Sequence, residues 1–429
     1  MIKTLTSAFK NKDIRKKLLY TLMMLVVIRI GSLLPIPGVD TEYFSTLLSG
    51  FNSGDLSYLS AFTGGSFEKM SLFALSITPY ITSSIIMQLL TIAIPKLEEM
   101  QKEGEDGRKK IASITRYVTI ALALIESIAM AVGFGRQGLI KDYKDMSTIH
   151  YVTCIIVVVA ALTAGSAVLM WIGERITEKG VGNGISIVLL INIISGMPSD
   201  FVTLYSTFVA NKSIARGVTV AVIIAAIVIA VVVLVVILQD GERRIPVQYS
   251  QKVAGRKTIG GQATNIPLKV NTAGVMPIIF ASSIMQFPVI IVQLFTSNSY
   301  EWTKYLSQSY WCRVQMPKYS IGLLLYIILV VVFAYFYTSI TFNPVQIADN
   351  LKKAGGVIPG ITPGKSTSDY LNNILNYIVF VGAVGLLIIA LIPIMCTGFF
   401  NASVSFGGTS VIIIVGVVLE TLKQIESQM

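Results

Sequence analysis

The stretch Val218-Thr-Val-Ala-Val-Ile-Ile-Ala-Ala-Ile-Val-Ile-Ala-Val-Val-Val-Leu-Val-Val-Ile-Leu238 holds 21 residues, all aliphatic except Thr219. A helix of about 20 apolar residues is what the roughly 30 Å hydrocarbon core of a bilayer requires, because unpaired backbone groups are too costly in lipid. The rest of the 429-residue chain agrees: 53% of it is hydrophobic and 13% charged, with a mean hydropathy of +0.71. Soluble domains carry about 25% charge. Ten apolar segments follow the same rule, near 18–38, 71–94, 117–134, 151–172, 181–198, 217–239, 274–296, 320–341, 374–396 and 404–422. The fifth is the weakest, opening on Gly182-Asn-Gly184 and closing at Ser195-Gly-Met-Pro198. The first contains Arg29, exits through Pro35 and Pro37 and has no small-residue cleavage site, so it reads as a permanent span and not a signal peptide.

The net charge of +11 reports orientation first. With the N-terminus in the cytosol, the segments 1–17, 95–116, 173–180, 240–273, 342–373 and 423–429 hold 24 of the 34 lysines and arginines. The outward segments hold nine, and both termini are expected to be cytosolic. The loops 240–273, with Arg243, Arg244, Lys252, Arg256 and Lys257, and 342–373, with Lys352 and Lys353, are too long for simple turns. Their cations either dock a partner or only set topology and touch anionic lipid. Enzyme chemistry has little to work with. Cys154, Cys312 and Cys396 are far apart, His150 is the only histidine, and no phosphate-binding loop is present, so no catalytic residue, metal or cofactor is expected.

Several strings are long enough to carry a family resemblance: Arg29-Ile-Gly-Ser-Leu-Leu-Pro-Ile-Pro-Gly38, Ile77-Thr-Pro-Tyr-Ile-Thr-Ser-Ser-Ile-Ile-Met-Gln88, Glu103-Gly-Glu-Asp-Gly-Arg-Lys-Lys110 and Gly182-Asn-Gly-Ile-Ser-Ile187. Further along come Pro267-Leu-Lys-Val-Asn-Thr-Ala-Gly274, Phe342-Asn-Pro344, Ala348-Asp-Asn-Leu-Lys-Lys353 and Phe406-Gly-Gly-Thr-Ser410. In this order they resemble the SecY family, pore subunits of the bacterial protein-translocation channel. The resemblance implies an all-α integral membrane protein of the bacterial cytoplasmic membrane, with ten transmembrane helices in two inverted, pseudo-symmetric five-helix halves around an hourglass pore. The halves fall at 18–198 and 217–422, joined by an external loop at 199–216, with cytosolic segments 1–17 and 423–429.

The resemblance also implies site residues. A waist of aliphatic side chains, which seals by excluding water, falls on Ile77, Ile81, Ile185, Leu189, Ile279 and Ile413. Ile77 and Ile81, like Ile185 and Leu189, are four apart and share a helix face; the plain alternative is that such isoleucines pack against neighbours or lipid. The segment 53–67 corresponds to the plug, with Leu56, Leu59 and Phe62 as an apolar turn and Gly64 and Gly65 as hinges. A lateral gate for signal sequences and membrane segments lies between spans two and three on one side and seven and eight on the other. There Glu126, whose charge at the bilayer centre costs about 3 kcal/mol, joins Thr82 and Gln286 in a polar cluster or pairs privately with Arg29. The expected partners are SecE, SecG, the SecA ATPase, the ribosome through rRNA contacts, signal peptides and nascent polypeptides, and membrane lipid. Arg243, Arg244, Arg256, Lys352 and Lys353 are the docking contacts. One position departs from the family: Thr362 stands where its Pro-Gly-x-Arg-Pro-Gly turn carries arginine. The competing function is a secondary transporter of a small solute with a ten-helix inverted-repeat fold, which would bury several ionisable residues near the midplane.

Overall fold

The computed structural model describes residues 9–50, 63–140, 147–206, 214–249, 252–254, 257–259, 263–295, 300–313, 316–400 and 408–428. Helix α1 (Lys12–Leu33) starts where the Asn11 side chain accepts a hydrogen bond from the Asp13 amide, and a short α2 (Thr41–Gly50) follows. Helix α3 (Thr78–Ala93) has Pro79 in its first turn, where its missing N–H is harmless. At Pro95 the chain bends by 101° into α4 (Pro95–Lys102), because the residue before proline, Ile94, is forced into extended backbone. Then come α5 (Glu105–Phe134), α6 (Thr148–Lys179), α7 (Gly184–Leu204) and α8 (Ile214–Asp240). The second part holds α9 (Met276–Phe295), α10 (Glu301–Leu306), α11 (Ile321–Thr341), α12 (Pro344–Lys353), α13 (Lys365–Phe400) and α14 (Gly408–Gln428).

Among the described residues, five helices are long and apolar enough to cross a membrane, and six if the bent pair α3–α4 counts as one. This corrects the count of ten at the level of length and composition. Some of the missing spans have visible causes. In α1 Lys12, Arg15, Lys16, Lys17 and Arg29 dilute the apolar run. The last turns of α14 carry Glu420, Lys423 and Glu426, whereas α7 and α9 continue through Pro198 and Pro288.

These shorter helices nevertheless complete a repeated packing scheme. In the first half α3 packs on α5, α5 on α6, α6 on α7, and α1 on both α6 and α7. In the second half α9 packs on α11, α11 on α13, α13 on α14, and α8 on both α13 and α14. Substituting α8, α9, α11, α13 and α14 for α1, α3, α5, α6 and α7 converts one set of neighbours into the other. The halves meet at two seams, α5 against α9 and α7 against α14.

Lipid gives helices no hydrophobic reason to associate, so close backbone approach and internal packing must hold them. Gly165 of α6 supplies one such approach: a Cβ there would overlap the Leu72 carbonyl oxygen. A second departure from expectation is β structure. The long loop 240–273 folds as β1 (Glu242–Tyr249) paired antiparallel with β4 (Ala263–Lys269), and β5 (Gly356–Val357) adds to the free edge of β1. A small hairpin, β2 (Lys252–Ala254) with β3 (Lys257–Ile259), forms a separate two-stranded sheet. The chain is therefore not all-α. Alternating Ile245 and Val247, both buried, give β1 an inward face, and with Leu268, Leu351, Ile358 and Leu371 they form a core of their own. The two basic loops thus become one sheet-and-helix unit.

Candidate functional site: an aliphatic waist beneath a polar vestibule

The waist is built from four helices of both halves. Ile77 caps the start of α3, and Ile81 donates its amide to the Ile77 carbonyl at 3.1 Å, which sets the two side chains one turn apart. Helix α7 starts at an Asn183 cap whose side-chain oxygen accepts from the amides of Ile185, at 3.1 Å, and Ser186. Gly184 adds an amide bond to Thr177 Oγ1 at 2.9 Å. This capping fixes where Ile185 and Leu189 point, a structural role for the Gly182-Asn-Gly184 string. Ile77, Leu189, Ile279 and Ile413 are buried in one hydrophobic cluster, and Ile81 and Ile185 pack against it. The six positions expected on sequence grounds therefore meet in space.

Above the cluster opens a cavity of about 510 Å³, reached by Ile81, Ile185, Leu189, Ile279 and Ile413 at its apolar end. Polar residues line part of its wall: Gln88 of α3, Asn183, Gln239 of α8 and Asn271, with Lys269, Glu420 and Lys423 among the charged residues. Gln88 Oε1, Gln239 Nε2 and Asn271 Nδ2 are buried atoms with no hydrogen-bond partner among the described residues. They offer both donors and an acceptor to whatever enters, water or an extended peptide. No periodicity in the sequence singled out these amides. Lys423 also bonds Asp240 at 2.8 Å, tying the ends of α14 and α8 beside the cavity.

Thr82, Glu126 and Gln286 do not form a bonded cluster. Thr82 of α3 donates its hydroxyl to the Thr78 carbonyl, while Glu126 of α5 and Gln286 of α9 sit on the two helices that meet at one seam. Among the described residues neither Glu126 nor Gln286 makes a hydrogen bond or ion pair. The alternative pairing of Glu126 with Arg29 is overturned, because the Arg29 guanidinium donates to Ser195 Oγ of α7 at 2.9 Å. Of the plug positions, Leu56, Leu59 and Phe62 lie outside the described residues. Gly64 and Gly65 have φ of +63° and +79°, backbone that favours glycine. Arg243 and Arg244 are exposed on β1, and Lys352 and Lys353 are exposed at the end of α12, so the sheet gathers them on one unit; Arg256 lies outside the described residues. Among the described residues no group of His, Cys, Asp or Glu has the makings of a metal site.

Comparison with known proteins adds the following. A profile of the SecY family matches residues 71–422. The protein translocase subunit SecY of Streptomyces galbus is 42% identical over 444 residues, covering 100% of this chain and 98% of the relative. A solved structure described as showing that the plug domain of the SecY protein stabilises the closed state of the translocation channel and maintains a membrane seal is similar with a TM-score of 0.62. It is 18% identical, covering 96% of this chain and 92% of that one. Sec61 in the canine ribosome-channel complex from the endoplasmic reticulum is similar with a TM-score of 0.58 and 18% identity, over 96% and 92% of the two chains. The structural likenesses agree with a multi-pass, pseudo-symmetric helical channel fold.

Proposed function

The chain belongs to the SecY family, and from that premise we propose how its residues conduct and seal. It is a protein-conducting channel subunit, and the family is one of translocase subunits, not of enzymes. In this reading α1, α3, α5, α6 and α7 are the first five spans and α8, α9, α11, α13 and α14 the second five, the halves being inverted about an axis in the membrane plane. The vestibule faces the cytosol with both termini, as the excess of lysine and arginine in those loops requires. A polypeptide enters past Gln88, Gln239 and Asn271. It then prises apart Ile77, Ile81, Ile185, Leu189, Ile279 and Ile413, which close by dewetting when it has left. The segment 53–67 acts as plug on the far side.

Hydrophobic segments leave between α3–α5 and α9–α11, at the seam carrying Thr82, Glu126 and Gln286. The β1–β4–β5 unit with α12 presents Arg243, Arg244, Lys352 and Lys353, and with Arg256 these are the docking contacts for SecA carboxylates or ribosomal RNA phosphates. SecE and SecG are its companions in the bacterial cytoplasmic membrane. The observation that carries the reading is that Ile81, Ile185, Leu189, Ile279 and Ile413, packed with Ile77 in one cluster built from four helices, line a cavity whose wall also carries Gln88, Gln239 and Asn271.

The test is reconstitution in liposomes with the companion subunits. A secretory precursor should enter in a signal-dependent way, and replacing Ile81, Ile185 and Ile279 together by glycine should raise ion leakage at least tenfold without abolishing import. Uptake of a small solute against a gradient, with no import, would establish the transporter instead.

A further inference from the structure

Helix α7 carries a set of hydrogen bonds that neither the waist nor the vestibule uses. Asn192 and Ser195 are three residues apart and share a face, and each fastens a different point of the chain between α2 and α3. Asn192 Nδ2 donates to Ser76 Oγ at 3.0 Å, and both residues are buried. Ser195 Oγ lies within hydrogen-bond reach of two carbonyl oxygens, that of Asn192 at 2.7 Å and that of Gly64 at 3.3 Å, between which its one proton is shared, and it accepts the Arg29 bond at 2.9 Å. Gly64 approaches so near that a Cβ would stand 2.5 Å from Ser195 Oγ and 2.7 Å from the Asn192 carbonyl oxygen. At the other end Ser76 holds φ of +54°, a left-handed conformation that a serine keeps only when its surroundings impose it. Ile77, the first waist residue, follows directly.

A guanidinium inside a span needs a reason. Here its partner is the hydroxyl that meets the Gly64 turn. We infer that Arg29, Asn192 and Ser195 are positioning residues that fasten the segment 64–76 to α7 and so hold the channel shut. The inference rests on the channel reading above. A chain wedged into the waist moves α7 relative to this segment and breaks the bonds at both ends together. Reclosure remakes them.

The test uses the full chain with its companions in lipid, by hydrogen exchange with mass spectrometry and by ion leak from sealed liposomes. In Ser195→Ala and in Asn192→Leu, exchange at 64–76 should accelerate about fivefold, the change expected for one lost hydrogen bond. Leak should rise by a similar factor, with exchange in α5 and α6 as in the unaltered protein. Arg29→Leu should behave like Ser195→Ala, and Arg29→Lys, which keeps a charged donor, should restore both readouts. Exchange and leak unchanged in Ser195→Ala and Arg29→Leu would overturn the inference. So would faster exchange with an unchanged leak, since the fastening would then not seal. Both measurements are made without precursor, so a tight, well-fastened protein that imports nothing would count against the channel reading and leave the fastening standing.

Discussion

Glu126 is the residue whose place in the structure differs most from what its neighbours in sequence suggest. It is half-buried on α5, one of the two helices of the α5–α9 seam, and has no bonded partner among the described residues. A carboxyl group there is better solvated when the seam parts and water enters than when lipid and helix close over it. On the proposed gating reading it favours the parted state, by no more than about 3 kcal/mol. Glu126→Leu should shift the gate toward closure and lower the import of precursors with weakly hydrophobic signals several-fold, while strongly hydrophobic signals are little affected. Equal import of the two classes by both proteins would remove the gating role. Glu126 was legible in sequence as an anomaly, because a charge in an apolar run is visible without coordinates. That Arg29 answers Ser195 and not Glu126 was not legible, since the two residues are 166 positions apart and only tertiary packing brings them together.

Among the elements, α6 and α7 show how a single methyl group divides between propensity and packing. Alanine is favoured over glycine inside a helix by about 1 kcal/mol. At Gly196 of α7 a Cβ meets nothing within 4 Å, so Gly196→Ala should stabilise by a few tenths to 1 kcal/mol. At Gly165 of α6 the same Cβ overlaps the Leu72 carbonyl oxygen, and overpacking against backbone costs about 1–3 kcal/mol. Packing wins there, and Gly165→Ala should lower the Tm in detergent while Gly196→Ala raises it slightly. Tm shifts of the same sign would show that the close α6 approach is not maintained. The sequence marks Gly196 only as part of the Ser195-Gly-Met-Pro198 segment end and gives no sign that Gly165 faces backbone. The strands were equally hidden. The string Glu-Arg-Arg-Ile-Pro-Val-Gln-Tyr249 alternates only weakly, and β1 gains its partner β5 from a segment about 100 residues away.

For the whole molecule, the decisive feature is that two halves with matching neighbour schemes meet chiefly, among the described residues, at α5 with α9 and at α7 with α14. Parting one seam while the other holds is the motion such an arrangement permits. In a background without Cys154, Cys312 and Cys396, a reducible bifunctional reagent joining Thr82→Cys to Gln286→Cys should block import. Reduction should restore it to near the uncrosslinked rate. Import that continues with the crosslink complete would mean the chain does not use this seam. Membership of a multi-pass membrane family could be read from consecutive residues alone, because hydropathy and long motif strings need no coordinates. Only the tertiary structure decided that Ile77, Leu189, Ile279 and Ile413 share one cluster, that two basic loops form one sheet, and that Arg29 is bound to Ser195. Each of these is a meeting of side chains from distant segments, fixed by how the helices pack and not by the order in which they are strung.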